Sequence, residues 1–348
     1  NQDKEALDYR LSVSGIKESS VNGSSIVLNG EAQNNVLTLN CLQTDDKDCV
    51  GFDFGTQLLL KPQLLELSFT TPKPVLGYQE FLVNEGNYIT YGENGKVDAD
   101  FVLTSGEKLI SLKTQNDTIS NTLLVKLQQL DIASLLKLWP LAPDVEGMLY
   151  ADMGLNLSSK GFGARGSVSV DSLVYEGSVV GDLNLKAGYK ALQEGGQQVG
   201  VSMSLNDADV VKLGGRYNPE SEEDMKLNLS INSLPISSIN PFIPDDLLLF
   251  TGALNGDFSL IGKENDIKMN GFLQFDNVDM TIPMIGTTFT LSPEKVLMTD
   301  NKITMYNFGM SGPNKKPMVL EGSVDLGNIS ETLSDYGKIK SDILITAS

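Results

Sequence analysis

The sequence predicts a mostly β fold: an elongated antiparallel sheet built from stacked repeats, with a few short helices. Three observations carry this. The pattern Gly-x-[Val/Leu]-x-[Ala/Gly]-Asp-[Phe/Met]-x-Leu occurs three times, as GKVDADFVL (95–103), GMLYADMGL (147–155) and GALNGDFSL (252–260). Apolar and polar residues alternate along much of the chain, the mark of strands with one greasy face. The breaks between these runs are short and rich in Gly, Asn, Asp and Pro, as in VNGS, GENG, QEGGQQ, YNPES and SGPNKKP, which is turn chemistry.

Taken in order, residues 1–94 share the strand texture without falling into a clear repeat register. Leu123, Val125 and Leu127 then alternate with Lys126 and Gln128. Asp131 is a candidate helix N-cap for 131–139, a segment stopped by Pro140. Leu183, Leu185, Ala187 and Tyr189 form the next one-faced strand, and Val199, Val201, Met203 and Leu205 the one after. Met225, Leu227, Leu229 and Ile231 repeat the pattern, and Pro235 opens a second short helix as its first residue. Ile267, Met269, Leu273 and Phe275 follow, with Lys268, Asn270, Gln274 and Asp276 opposite. A third short helix is expected over 329–335.

The repeat is longer than its motif. Gly147 and Gly252 stand 105 positions apart, as do Gly166 and Gly271, and Gly181 and Gly286. The segment 125–140 aligns with 229–244 at an offset of 104, so one residue is inserted before Gly252. The expected organisation is an N-terminal β segment at 1–94, a β-repeat unit at 95–228 and a second, continuous with it, at 229–348. So many short strands must close, stack or roll to protect their edges. Periodicity does not separate a sandwich, whose apolar face is covered, from a rolled sheet, whose apolar face lines a groove. Polar outer positions argue against a lipid-facing barrel.

Composition narrows function. The chain has 348 residues, 41% of them hydrophobic, and a formal net charge of −19. That field disfavours nucleic acid and anionic headgroups as partners. Histidine is absent, which removes the commonest general base and metal ligand and disfavours an enzyme. No run approaches the ~20 apolar residues of a membrane-spanning helix. The chain starts at NQDKEALDY with no leader or anchor, so it reads as a piece of a longer protein or a mature form. Cys41 and Cys49 flank the polar run QTDDKD in an expected hairpin. They are either a disulfide across the loop or two free thiols, and strand register decides which.

Other motifs weigh towards structure. Gly161-Phe-Gly-Ala-Arg-Gly166 has the spacing of a dinucleotide loop but is followed by a strand pattern rather than a helix. It reads as a glycine-rich hairpin turn. Asp45, Asp46 and Asp48 lack the further ligands and turn glycine of a calcium loop and read as a solvated turn. Asp100, Asp152 and Asp257 recur at one motif position, either as a ladder of ligands or, the better reading, as side chains bonding nearby backbone. Trp139 is expected as a core anchor. The methionines Met203, Met269, Met280, Met284 and Met298 suit either a core or an adaptable apolar groove.

The ordered stretches LDIASLLKLWPLAPDVEGMLYADMGL, SLVYEGSVVGDLNLKAGY, LPISSINPFIP, TGALNGDFSLIG, NGFLQFDNVDMTIPMIGTTFTL and LEGSVDLGN resemble the repetitive region of TamB-type translocation and assembly proteins. These belong to the AsmA-like, bridge-like lipid transfer group. The resemblance covers about 95–348 and is thinner over 1–94. It implies a β-taco, a rolled sheet around an open apolar groove. It also implies a Gram-negative periplasmic location, inner-membrane anchoring of the whole protein, and a BamA-like outer-membrane barrel as partner through regions outside this chain. Two roles follow from it: phospholipid transport between the membranes and outer-membrane protein assembly. It implies no catalytic residue and no cofactor. The groove lining is then expected from Leu149, Ala151, Met153, Leu155, Leu183, Leu185, Met203, Leu205, Leu254, Phe258, Leu260, Met269, Leu273 and Phe275, with acyl chains as ligand. Rival readings are a scaffold pairing with nascent outer-membrane strands and a closed β-sandwich surface or adhesin module.

Overall fold

The structure is a computed structural model. It describes residues 7–18, 21–92, 95–116, 121–136, 142–158, 161–192, 195–218, 224–243, 247–263, 266–313, 316–332 and 336–347. It is mostly β, with 75% of residues in strands and 7% helical, and its strands pair antiparallel. The chain divides into two units, Asn1–Gly177 and Ser178–Ser348.

Unit 1 is a meander of β1 (Leu7–Glu18), β2 (Val21–Gln33), β3 (Val36–Thr44), β4 (Val50–Lys61) and β5 (Leu64–Phe69). Three two-residue strands follow: β6 (Val75–Leu76), β7 (Gln79–Glu80) and β8 (Leu82–Val83). The meander resumes with β9 (Tyr88–Gly92), β10 (Val97–Ser105), β11 (Lys108–Asn116) and β12 (Asn121–Asp131). Helix α1 (Ile132–Leu136), β13 (Val145–Ser158) and β14 (Gly161–Tyr175) complete it. β5 pairs directly with β9, so β6–β8 form an excursion between neighbours. The excursion fills the sheet beyond the short β5–β9 pair: β6 pairs with β4 and β8 with β10.

Unit 2 contains β15 (Ser178–Ala191), β16 (Gln197–Leu205), β17 (Ala208–Tyr217) and β18 (Met225–Pro235), followed by a 3-10 helix at Ile236–Phe242. Next come β19 (Leu249–Lys263), β20 (Asp266–Ile282), β21 (Thr287–Leu291), β22 (Lys295–Thr299), β23 (Lys302–Ser311) and β24 (Pro317–Asp325). Helix α2 (Ile329–Thr332) precedes β25 (Lys340–Ala347). The three expected helices are present and short. The second is a 3-10 helix with Pro235 at its N-cap rather than its first position. Trp139 and Pro140 lie outside the described residues.

The repeat reappears as geometry. In β12 the register slips between Leu127 and Leu130, and Gln129 sits at φ +52°. In β18 it slips between Ile231 and Leu234, and Ser233 sits at φ +46°. These are the positions paired by the 104-residue offset. At the 105-residue offset, Gly147 of β13 and Gly252 of β19 both occupy slips, at φ +139° and +94°. Ser172 of β14 and Asn277 of β20 likewise share positive φ, +54° and +50°. A β-bulge inserts one residue and bends its strand. In each unit two strands carry the extra residue, β12 and β14 or β18 and β20, and they flank a central strand, β13 or β19, that has none, so the sheet bends at one end of that strand. The extra residue also keeps the apolar face in phase: Leu130 rejoins it opposite Leu149, and Val278 rejoins it fully buried, at 0% exposure. The backbone N–H freed at Ser233 is taken up by the Asn255 side-chain oxygen at 2.8 Å.

Asn301, at the β22–β23 turn, is buried and fully bonded. Its Oδ1 accepts from the Met269 N–H at 2.6 Å, and its Nδ2 donates to Ile267 O at 2.7 Å and Gly327 O at 2.9 Å. It ties β20 to the segment after β24. Asn301→Ala leaves one donor and two acceptors without this partner, and is expected to cost about 2 kcal/mol. Urea unfolding measures it, and a loss within error of a surface substitution would refute the clamp.

Candidate functional site

Cross-strand partners share a sheet face, so the register sorts the side chains. In unit 1 one row runs Phe101–Leu112–Val125–Met153, and the next runs Leu103–Ile110–Leu127–Ala151–Val168. Leu123, Leu155 and Ala164 form a third, and Leu130, Leu149 and Val170 a fourth beyond the bulge. The expected lining residues Leu149, Ala151, Met153 and Leu155 therefore share one apolar face.

In unit 2 one row runs Leu185–Met203–Val211–Ile231–Gly256–Leu273. Its neighbour runs Ala187–Val201–Leu213–Leu229–Phe258–Gly271. Leu183 pairs with Leu205, Leu260 with Met269, and Leu254 with Phe275. All ten expected residues of this unit lie on one face. Gly271 is small for a reason: a Cβ there would come within 2.8 Å of the Phe258 ring and 2.0 Å of Asp257 O.

The opposite face is polar. Lys186, Ser202, Lys212, Ser230 and Asp257 form one of its rows in unit 2. Asp152 stands between Lys126 and Ser167 in unit 1, and Asp100 pairs with Lys113 at 3.2 Å. The recurring aspartates thus decorate the outer face. Among the described residues, no group of three or more His, Cys, Asp or Glu is placed to hold a metal ion. A shallow depression of about 300 Å³ also lies on the polar face, bordered by Lys126, Gln128, Tyr150, Asp152, Ser167 and Ser169.

How far the apolar face is covered differs along it. In unit 1, Phe81, Phe101, Leu103 and Leu130 form a buried cluster, joined by Phe69, Leu76, Ile110, Leu127, Leu135 and Leu149. Phe81 comes from the excursion after β5, and Leu135 from α1. A Cβ on Gly77 would sit 3.2 Å from both the Leu135 side chain and Ser134 O. Helix α1 therefore reaches from the end of β12 to the β6–β7 turn, strapped across the apolar side. In unit 2 the expected lining residues Leu205 and Phe258 are buried, and Leu185 is 37% exposed. The others are half-buried.

The chain leaves 21178 Å² accessible. Two separate compact globules of half its mass would together expose about 16,600 Å². The excess accords with rows whose side chains are mostly half-buried rather than sealed.

Residues 1–94 contribute a feature that alternation alone left unread: an aromatic file. Phe54 stacks on Phe69 with centroids 5.8 Å apart, and Phe69 meets Phe101 at 5.0 Å. The signal was the alternation Phe52-Asp-Phe54 with Phe69 in the next strand. Which ring meets which depends on the Thr56↔Phe69 register.

That register also separates the cysteines. Cys41 pairs with Phe54 on the apolar face, while Cys49 lies in the turn beyond the Thr44↔Val50 pair. Both are free thiols. Burial, helped by the nearby Asp53 charge, pushes the Cys41 thiol up from its ordinary value. At neutral pH a maleimide is therefore expected to modify exposed Cys49 well before Cys41, as read by mass spectrometry. Equal rates would contradict the placement of Cys41. The turn itself is built by Asp45, whose carboxylate accepts from the backbone N–H groups of Lys47 and Cys49 at 2.9 Å each. These bonds, the one from Cys49 foremost, hold its pKa below the usual carboxylate value. The acidic turn thus bonds its own backbone.

Gly161–Gly166 corrects the expected hairpin turn: the segment lies within β14. Gly166 faces Met153, and a Cβ there would meet Met153 Cγ at 2.6 Å. The glycine makes room for a side chain across the sheet.

No family model matches the chain, and neither a curated protein nor a solved structure matches it.

Proposed function

We propose that this chain is a non-enzymatic segment of a TamB-like envelope protein, and that its apolar sheet face carries phospholipid acyl chains through the periplasm. The observation that supports the reading most is the combination of unbroken apolar rows with partial cover. A row such as Leu185–Met203–Val211–Ile231 offers hydrocarbon to a ligand without a polar side chain in it. Each CH₂ moved from water onto such a face gains roughly 0.8 kcal/mol. Half-exposed side chains give weak contacts repeated along the sheet, which suits passage better than one tight site. Contact with a BamA-like barrel belongs, in this proposal, to regions outside the chain.

The test is delipidated protein incubated with vesicles of labelled phosphatidylethanolamine, then re-isolated and extracted. About one or more lipids per chain is the expected result. Absence of retained lipid, with the β signal in circular dichroism intact, overturns the reading.

A second reading, a scaffold for nascent outer-membrane strands, has its own support. All eight residues of β25 are exposed, and among the described strands β25 pairs only with β24. A strand edge of this kind can add an incoming strand through main-chain bonds. Crosslinks from Asp342 or Leu344 to an unfolded barrel protein, without lipid retention, would favour it.

A further inference from the structure

We infer that the acyl chains of zwitterionic phospholipids lodge on one stretch of the apolar face, the β15–β18 portion of unit 2, and are excluded from the strapped face over β10–β13. This rests on the lipid reading above and sharpens it to a place and a ligand class.

Cover separates the two stretches. Over β10–β13 the face is occupied by its own side chains: Phe81 and Leu135 pack onto Phe101, Leu103 and Leu130, and Leu103 is 1% exposed. A ligand there would have to displace a packed core. Over β15–β18 the rows through Leu185 and Ala187 contain no buried side chain: these two residues are exposed and the other six half-buried, and the 3-10 helix at Ile236–Phe242 packs against β15 without burying any of the eight.

The backbone behind this stretch is also unusual. Gly188, Gly200 and Gly214 are direct cross-strand partners on the polar face. A Cβ on Gly188 or Gly200 would meet nothing within 4 Å, and one on Gly214 only Val199 O at 3.7 Å. None of the three is needed to relieve a close contact. Glycines inside strands loosen them, so the sheet behind these half-buried rows can flex to admit a chain of varying thickness.

Three arguments choose the occupant. The two rows carry no side-chain donor, acceptor or charge, so a peptide laid across them would bury main-chain polar groups without partners. A hydrocarbon chain has none to lose. Two rows of four side chains, six of them half-buried, fall short of the ~800 Å² per partner typical of a stable protein interface. The net charge of −19 repels an anionic headgroup left at the water boundary, which selects a zwitterionic one.

The experiment places a diazirine amino acid singly at Val201, Leu213, Leu112 or Leu127 of the intact chain. Each variant is loaded from vesicles of mixed phosphatidylethanolamine and phosphatidylglycerol and irradiated. The expected result is at least ten-fold more adduct at Val201 and Leu213 than at Leu112 and Leu127. Phosphatidylethanolamine adducts should exceed phosphatidylglycerol adducts several-fold at low salt, with the gap narrowing in 0.5 M salt. Equal labelling at the two pairs of sites, or dominant labelling at Leu112 and Leu127, overturns the placement while leaving lipid binding in force. A preference for phosphatidylglycerol at low salt overturns the headgroup choice. No adduct at any site together with no retained lipid sinks the lipid reading and this inference with it. The native Met203, replaced by its diazirine analogue of similar shape, serves as a second probe of the open stretch if Val201 or Leu213 variants misfold.

Discussion

Leu103→Ala should destabilise the chain by about 3–4 kcal/mol, a loss in the upper range for a leucine truncation. Leu103 is 1% exposed and sits among Phe81, Phe101 and Leu130, with Ile110 and Leu127 beside it in its row. Those neighbours come from β10–β12 and from the excursion after β5. β8 is paired to β10 through this same residue, opposite Val83. The surroundings are held on several sides and cannot collapse into the void, which is the condition under which truncation costs most. Leu185→Ala is the matched comparison: a leucine of the same chemistry, 37% exposed on β15, expected to cost less than ~1 kcal/mol. Urea unfolding of both variants reads the contrast. Similar losses would mean that the β10–β13 face is no better sealed than the β15–β18 face, and would remove the physical basis for placing the ligand.

Gly252→Val is expected to cost about 3 kcal/mol or more. Two effects add. The φ of +94° is disfavoured for any side chain and worst for a β-branched one. A Cβ would also lie 2.3 Å from Asn277 O and 2.7 Å from Val278 Cα, both backbone atoms of the facing bulge. A flexible side chain could move aside; these atoms cannot without undoing the bend. Gly286→Ala separates the two effects. Its φ is +60°, but a Cβ there meets nothing within 4 Å, so only the conformational cost of about 1 kcal/mol remains. If the two substitutions proved equally mild, the bulges would not be fixing the bend. Because the bend keeps Val278 buried, Gly252→Val should also lower the protection of β20 amides from hydrogen exchange.

Much of the fold was legible because alternation is a local property. Leu185, Met203, Leu229 and Phe258 each announce their face by their own neighbours in sequence, and the register aligns them without exception. The repeat was legible too, since Gly147 and Gly252 punctuate it. What glycine spacing did not reveal was its meaning. The paired positions mark bulges, and both bulges in each unit use ordinary residues, Gln129 and Ser172 or Ser233 and Asn277, held at positive φ by the ladder around them, while Gly147 and Gly252 face the second of them. Cover was illegible for a different reason. Phe81 lies in a run of turn residues and two-residue strands, and its burial comes from contacts with β10 and with Leu130, about fifty positions on. No local pattern encodes such a partner. The cysteines show the same limit: a slip of register decides whether they face each other.

The β15–β18 meander also sets a rule for length. Antiparallel neighbours alternate in direction, so a hairpin such as β16–β17 can be gained or lost only as a pair if β15 and β18 are to keep their orientation. Each pair advances the sheet by about 9.6 Å, two strand spacings. Chains built this way change reach in fixed increments, like a ladder extended by whole sections. The width of the sheet would then be set by counting hairpins, with each section's face left unaltered.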